Sequence, residues 1–66
     1  SEASSKFIRA AEKLEEGKIP NIIGWKSIDA IELFENKKWE IKLQGNGAVI
    51  DYKVEKPQKK ILIRLG

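Results

Sequence analysis

Few residues of this chain are of types that carry enzyme chemistry. Cysteine and histidine are both absent, so thiol nucleophiles, imidazole bases, disulfides and zinc-finger ligand sets are excluded. No serine stands three positions before a lysine, as a serine-lysine acyl-transfer site requires, and neither common glycine-rich phosphate loop occurs. We therefore expect that the chain is not an enzyme.

Carboxylates are the remaining candidates for acid–base or metal chemistry. Asp29 with Glu32, and Glu12 with Glu15 and Glu16, are the closest pairs along the chain. Each pair is predicted on the outward side of a helix, where neighbouring acids are ordinarily solvated. None has the spacing of a calcium loop. The sequence therefore predicts no catalytic residue, no metal site and no cofactor.

Three side chains are better candidates for binding than for catalysis. Trp25 lies off any periodic apolar stripe, which is typical either of a contact aromatic or of a staple that closes the entrance of the next helix. Lys53 and Arg64 are predicted on the outward face of a sheet. Arg64 could hold a carboxylate of a partner, although pairing with an opposite charge on a neighbouring strand is sufficient reason for either residue. The candidate binding residues are Trp25, Lys53 and Arg64.

Length and composition indicate one small globular domain. The chain has 66 residues, of which 41% are apolar and 35% charged. This balance is typical of a globular protein rather than of a disordered or membrane-embedded one. No apolar run approaches the roughly 20 residues that span a bilayer, and no signal peptide is recognisable. The net charge of +3 is mild, and acidic residues interrupt the lysines, which argues against a nucleic-acid partner. Because the chain opens at serine, we expect a piece of a longer protein. We also expect this piece to be soluble and monomeric.

Two helices are predicted to support these side chains. An apolar stripe of helical period runs from Phe7 to Leu14, with Ser4 or Ser5 as the N-cap and Gly17 at the end. This stripe is thin, so we expect the helix to lean on something larger.

The second helix is predicted to start at Ser27, with the serine hydroxyl as its N-cap, and to stop between Asn36 and Lys38. Between the helices, Pro20 favours a short extended edge segment that ends at Gly24.

Three alternating segments predict strands: Trp39 to Leu43, Ala48 to Val54 and Ile61 to Leu65. The residues 45–47 predict a tight hairpin and residues 56–59 a second turn. The sequence thus predicts an α+β fold in which the second helix covers a three-stranded antiparallel meander. The side chains expected to be buried between helix and sheet include Phe34, Trp39, Ile50, Tyr52 and Ile63.

The order of these features resembles the PASTA domain, a small module of bacterial penicillin-binding transpeptidases and cell-wall kinases. The resemblance covers Lys18 to Gly66. The chain departs from the family at Lys38, where glycine is usual before the second strand, at Tyr52-Lys53-Val54, where Gln-x-Pro is usual, and in a shorter final loop. The matching positions are Pro20, Gly24, Ala30, Phe34, Gly47, Val49, Ile63 and Leu65.

The resemblance implies a non-catalytic, extracytoplasmic module of a membrane-anchored cell-wall transpeptidase, a class B penicillin-binding protein of cell division or elongation. Residues 1–17 would be a helix or linker from the preceding domain and residues 18–66 the PASTA-like module. The implied partners are peptidoglycan or a muropeptide, weakly held, and the transpeptidase domain of the parent chain. Two alternatives stay open: a purely structural domain whose apolar patch, including Phe7 and Trp25, packs on the parent, and a small nucleic-acid binder.

Overall fold

Two helices and three strands make up the computed structural model, which describes residues 2–66, with side chains from Ser5 onward. The predicted N-terminal element began at Ser1, which lies outside the described residues. The α+β class is confirmed. No helix of the described residues is long and apolar enough to cross a bilayer. The elements are α1 (Glu2–Glu15), α2 (Ser27–Asn36), β1 (Glu40–Gly45), β2 (Val49–Glu55) and β3 (Lys60–Leu65).

The starts of both helices differ from the predicted caps. Helix α1 begins at Glu2, so Ser4 and Ser5 lie inside its first turns and do not cap it. Helix α2 begins at Ser27 as predicted, but its N-cap residue is Lys26, and no side chain makes a capping hydrogen bond there. The predicted N-caps at Ser4 or Ser5 and at Ser27 are therefore wrong.

Both helices end in the same hydrogen-bonded motif. After α1, Gly17 has a φ of 79°, and the next amide donates to the carbonyl of Lys13 at 2.9 Å. After α2, Lys38 takes the glycine position with a φ of 65°, and the amide of Trp39 donates to the carbonyl of Phe34 at 3.0 Å. The Trp39 ring packs edge-on against Phe34 at 5.3 Å between centroids, the apolar contact that often accompanies this ending. The αL residue that ends α2 is thus Lys38, whereas residue type favoured Asn36 for that conformation.

The sheet is mixed, with the strand order β1-β3-β2. Strand β3 pairs parallel with β1 and antiparallel with β2, so the predicted antiparallel meander is wrong. The predicted hairpin is also wrong, because residues 46–48 cross over the end of β3 to reach its far side. A Cβ on Gly45 would overlap the carbonyl oxygen of Leu65, and one on Gly47 would lie 2.8 Å from that of Gly66. The two glycines therefore permit the crossing.

A bulge in β2 reverses the predicted faces at its start. Val49 is opposite Leu65 whereas Asp51 is opposite Arg64, which leaves Ile50 as an extra residue. As a result Val49 is 1% exposed and Ile50 is 49% exposed. The prediction that Ile50 is buried is wrong, and Val49 is buried in its place, because strict alternation does not hold across a bulge.

The core lies between the helices and the inner face of the sheet. Phe34 and Ile63 are fully buried as predicted, whereas Trp39 and Tyr52 are only half-buried at its margin. The segment between the helices contributes Ile22 and pairs with the start of β2 through a single bridge between Lys26 and Ala48. The buried apolar residues are Ala10, Ile22, Ala30, Leu33, Phe34, Val49, Ile61 and Ile63.

Candidate functional site

Trp25 lies where α1, α2 and the segment between them meet. Its backbone is fixed by two bonds, since its amide donates to Ile22 and its carbonyl accepts from the amide of Val49 at 2.9 Å. Its ring stacks on Phe7 of α1, with 6.2 Å between centroids and 28° between planes. Both rings are half-buried and pack against the core. Trp25 thus joins α1 to the rest of the molecule and still presents part of its ring to solvent.

A groove of about 420 Å³ opens beside this aromatic pair, and we call it the helix groove. Phe7, Ile8 and Trp25 provide apolar lining, while Lys6 provides a positive charge. Asp29 and Glu32, one turn apart on α2, provide two negative charges. These two acids were predicted on a solvated outward face. Glu32 is exposed, as predicted, whereas Asp29 is half-buried, and both line the groove. The groove combines an apolar lining with charges of both signs, so it can take a ligand that has an apolar face and charged groups.

Lys53 and Arg64 lie on the other side of the sheet, on the face that the helices do not cover. Arg64 forms a salt bridge with Asp51, its partner in register, at 3.5 Å. Lys53 is opposite Leu62, which has Lys42 on its other side. Cross-strand charge pairing, the simpler of the two interpretations, therefore accounts for Arg64.

The three candidate binding residues do not form one site. Trp25 belongs to the helix groove, and the other two belong to the opposite, charged face. Acids and lysines alternate on that face: Glu40 and Glu55 flank Lys60 in register, and Asp51 is paired with Arg64. Such a face is not a continuous basic surface of the kind that tracks a nucleic-acid backbone.

The sequence interpretation missed a second concave site, which we call the lysine cleft. It has a volume of about 470 Å³ and lies where the connection after α2 meets the β2–β3 turn. Its four lysines come from these two connections, and their meeting depends on the amide of Glu40 donating to the carbonyl of Lys59 at 2.8 Å. The lysines are Lys37, Lys38, Lys56 and Lys59.

Glu15 is the acidic residue of the lysine cleft, and the lysines stabilise its charged form. Its carboxylate accepts a hydrogen bond from the Lys37 ammonium, which together with that positive charge and the more distant one of Lys59 lowers the pKa of Glu15 below its ordinary value of 4.5. Because Glu15 ends α1 and Lys37 follows α2, this ion pair links the two helices.

The described residues contain no group of three or more acidic side chains placed to hold a metal ion. No family model, no curated protein and no solved structure matches the chain. The chemistry of the helix groove and of the lysine cleft must therefore be argued from their own residues.

Proposed function

We propose that the chain is a non-catalytic, PASTA-like accessory module of a bacterial cell-wall transpeptidase, extracytoplasmic in its parent. Its role is to make weak contacts with peptidoglycan or with the parent enzyme. A weak tethered contact raises the effective concentration of the substrate near the catalytic domain without doing chemistry itself. The helix groove, with its stacked Phe7–Trp25 pair and its charged lining residues, is the observation that carries this proposal.

The conformation of Lys38 supports the PASTA resemblance at a position where the sequences disagree. The family usually has glycine before its second strand, and Lys38 has the positive φ of 65° that favours glycine. The backbone at Lys38 therefore has a conformation that suits the family's usual glycine, although the side chain departs from the family. One helix covering a three-stranded sheet is also the arrangement that the resemblance implies for residues 18–66.

The composition of the helix groove suits a muropeptide. The apolar faces of sugar rings stack on aromatic side chains such as Trp25, while the stem peptide offers amino and carboxylate groups. Asp29 and Glu32 can accept hydrogen bonds from the amino groups, and Lys6 can donate to a carboxylate. The groove is partly open to solvent, so weak binding is expected.

Titration with soluble muropeptides tests the ligand. We expect amide shifts confined to the residues around Trp25, and loss of those shifts in Trp25→Ala. Lys53→Ala is the matched control on the opposite face and should leave the shifts intact. A dissociation constant of 1 mM corresponds to about 4 kcal/mol of binding free energy. If no shift appears at millimolar ligand, the muropeptide is excluded as the ligand and the structural role remains.

A second candidate function is a packing domain that has no ligand. Each helix exposes a large apolar side chain: Ile8, which lines the groove, is 58% exposed, and Ile28 of α2 is 68% exposed. Phe7 and Trp25, which were predicted to form the docking patch, mainly pack on each other and the core, so these isoleucines would make most of the contact. This role predicts that Ile8→Ser with Ile28→Ser lowers the melting temperature of the parent protein but not that of the isolated chain.

A further inference from the structure

The lysine cleft carries more positive charge than the described side chains neutralise. Glu15 is its acidic lining residue, and Glu15 is paired with Lys37. Lys38, Lys56 and Lys59 form no salt bridge with any side chain of residues 5–66. Lys59 acts on the charge of Glu15 only at longer range. Four lysines therefore border one concavity that has a single acidic lining residue, and three positive charges remain in excess.

Two of these three lysines occupy backbone positions that favour glycine. Lys38 ends α2 in the motif that Gly17 provides after α1, and Lys59 closes the β2–β3 turn with a φ of 54°. Within residues 2–66 they are the two non-glycine residues that have a positive φ. Both line the lysine cleft. A strained conformation that persists at a concave site points to a use for the side chain, since glycine would be more stable at either position.

We propose that the lysine cleft binds the diphosphate or an equally charged phosphate group of an organic ligand. A single carboxylate would pair with one lysine and leave the others unmatched. A diphosphate has several oxygens and more than one negative charge, so it can accept hydrogen bonds from three ammonium groups at once. Trp39 borders the same cleft and can pack against the organic part. This inference stands independently of the proposed function, which rests on the helix groove.

Titration of the full chain with sodium pyrophosphate tests the proposal by backbone amide shifts. We expect saturable shifts at residues 37–39 and 56–59, and weaker binding as sodium chloride is raised. Inorganic phosphate should bind more weakly than pyrophosphate, because it has less charge. Shifts spread evenly over all lysine-containing segments would overturn the proposal, since they would indicate general attraction to a basic protein.

Paired variants locate the site. Lys56→Gln with Lys59→Gln should weaken pyrophosphate binding by about tenfold or more, because two charged donors are lost. Lys26→Gln with Lys42→Gln makes the same change of net charge at exposed positions outside the cleft and should change affinity less than about twofold. Equal losses in the two double variants would contradict a defined site.

Lys38→Gly separates a binding role from a structural one. We expect a higher melting temperature, because the strain at a φ of 65° is relieved, together with weaker pyrophosphate binding. A higher melting temperature with unchanged affinity would exclude Lys38 from the site.

Vesicles distinguish a cleft ligand from a charged membrane surface. Phosphatidylcholine vesicles with and without phosphatidylglycerol would be compared by sedimentation with the wild-type chain. Release of the chain from vesicles by pyrophosphate, or binding of pyrophosphate alone, supports phosphate binding in the lysine cleft. Binding to phosphatidylglycerol vesicles with no pyrophosphate shifts would overturn it.

Discussion

At the scale of single residues, the absence of a side chain decides how the chain connects its strands. The glycines at 45 and 47 were predicted to form a hairpin because they tolerate positive φ, and both do have it, at 88° and 119°. What the sequence could not reveal is that the C-terminal end of β3 lies against them. Gly17 has a similar φ of 79°, yet a Cβ there would meet nothing within 4 Å. The three glycines share a positive φ and differ in the atoms that surround them.

Gly45→Ala is therefore expected to destabilise the chain much more than Gly17→Ala. Alanine at residue 17 meets only the backbone strain of a positive φ, about 1 kcal/mol. At residue 45 the same strain is added to an overlap with the carbonyl of Leu65, for a total of about 3 kcal/mol. Urea unfolding measures both free energies. Equal losses would mean that β3 does not end against Gly45.

At the scale of elements, α1 is attached by few interactions. It buries Ala10, stacks Phe7 on Trp25 and pairs Glu15 with Lys37. The thin apolar stripe predicted a helix that leans on something larger, and among the described residues α1 packs on the core and on Trp25. The sequence could not show that α2 is the support, because the stacking partner and the ion-pair partner lie in separate connections, outside any helical repeat.

The attachment of α1 should weaken as the pH falls. Because Lys37 lowers the folded-state pKa of Glu15, the ion pair stabilises the folded chain above the ordinary value of 4.5 and loses that effect as the pH falls through the lower, folded value. Hydrogen exchange of the α1 amides should therefore accelerate relative to β3 across this acidic range. Glu15→Gln should make the α1 amides exchange faster at neutral pH and remove much of this acid dependence. Glu12→Gln, which makes the same change of charge on the same helix, should behave like the wild type.

At the scale of the whole molecule, the strand order was the main feature that the sequence did not predict. A meander was the simplest assembly because strands adjacent in the chain usually pair. The residue pattern nevertheless contained a signal for the observed order. Strand β3 has a continuous apolar run from Ile61 to Ile63, which is typical of a strand buried between neighbours. In β1, apolar residues alternate with charged or polar ones. The lysine cleft depends on the same arrangement, since its lysines are separated in the chain and meet only in the assembled fold. Trp25, by contrast, could be selected from the sequence as a candidate binding residue because it lies off every apolar stripe, and it lines the helix groove.

The observed order places β3 between β1 and β2, so a charge introduced at its centre should interact with both. Leu62 lies between Lys42 and Lys53 on the open face. Leu62→Glu lowers the free energy of unfolding because some apolar burial is lost. This loss should be smaller when both lysines are present than in a chain that already carries Lys42→Ala or Lys53→Ala, by about 0.2 to 1 kcal/mol in each case. Urea unfolding gives these coupling energies, and added salt should reduce both. Leu62→Gln is the uncharged control and should couple with neither lysine. In an antiparallel meander residue 62 would neighbour β2 alone, so a coupling with Lys53 and none with Lys42 would contradict the parallel pairing of β1 with β3.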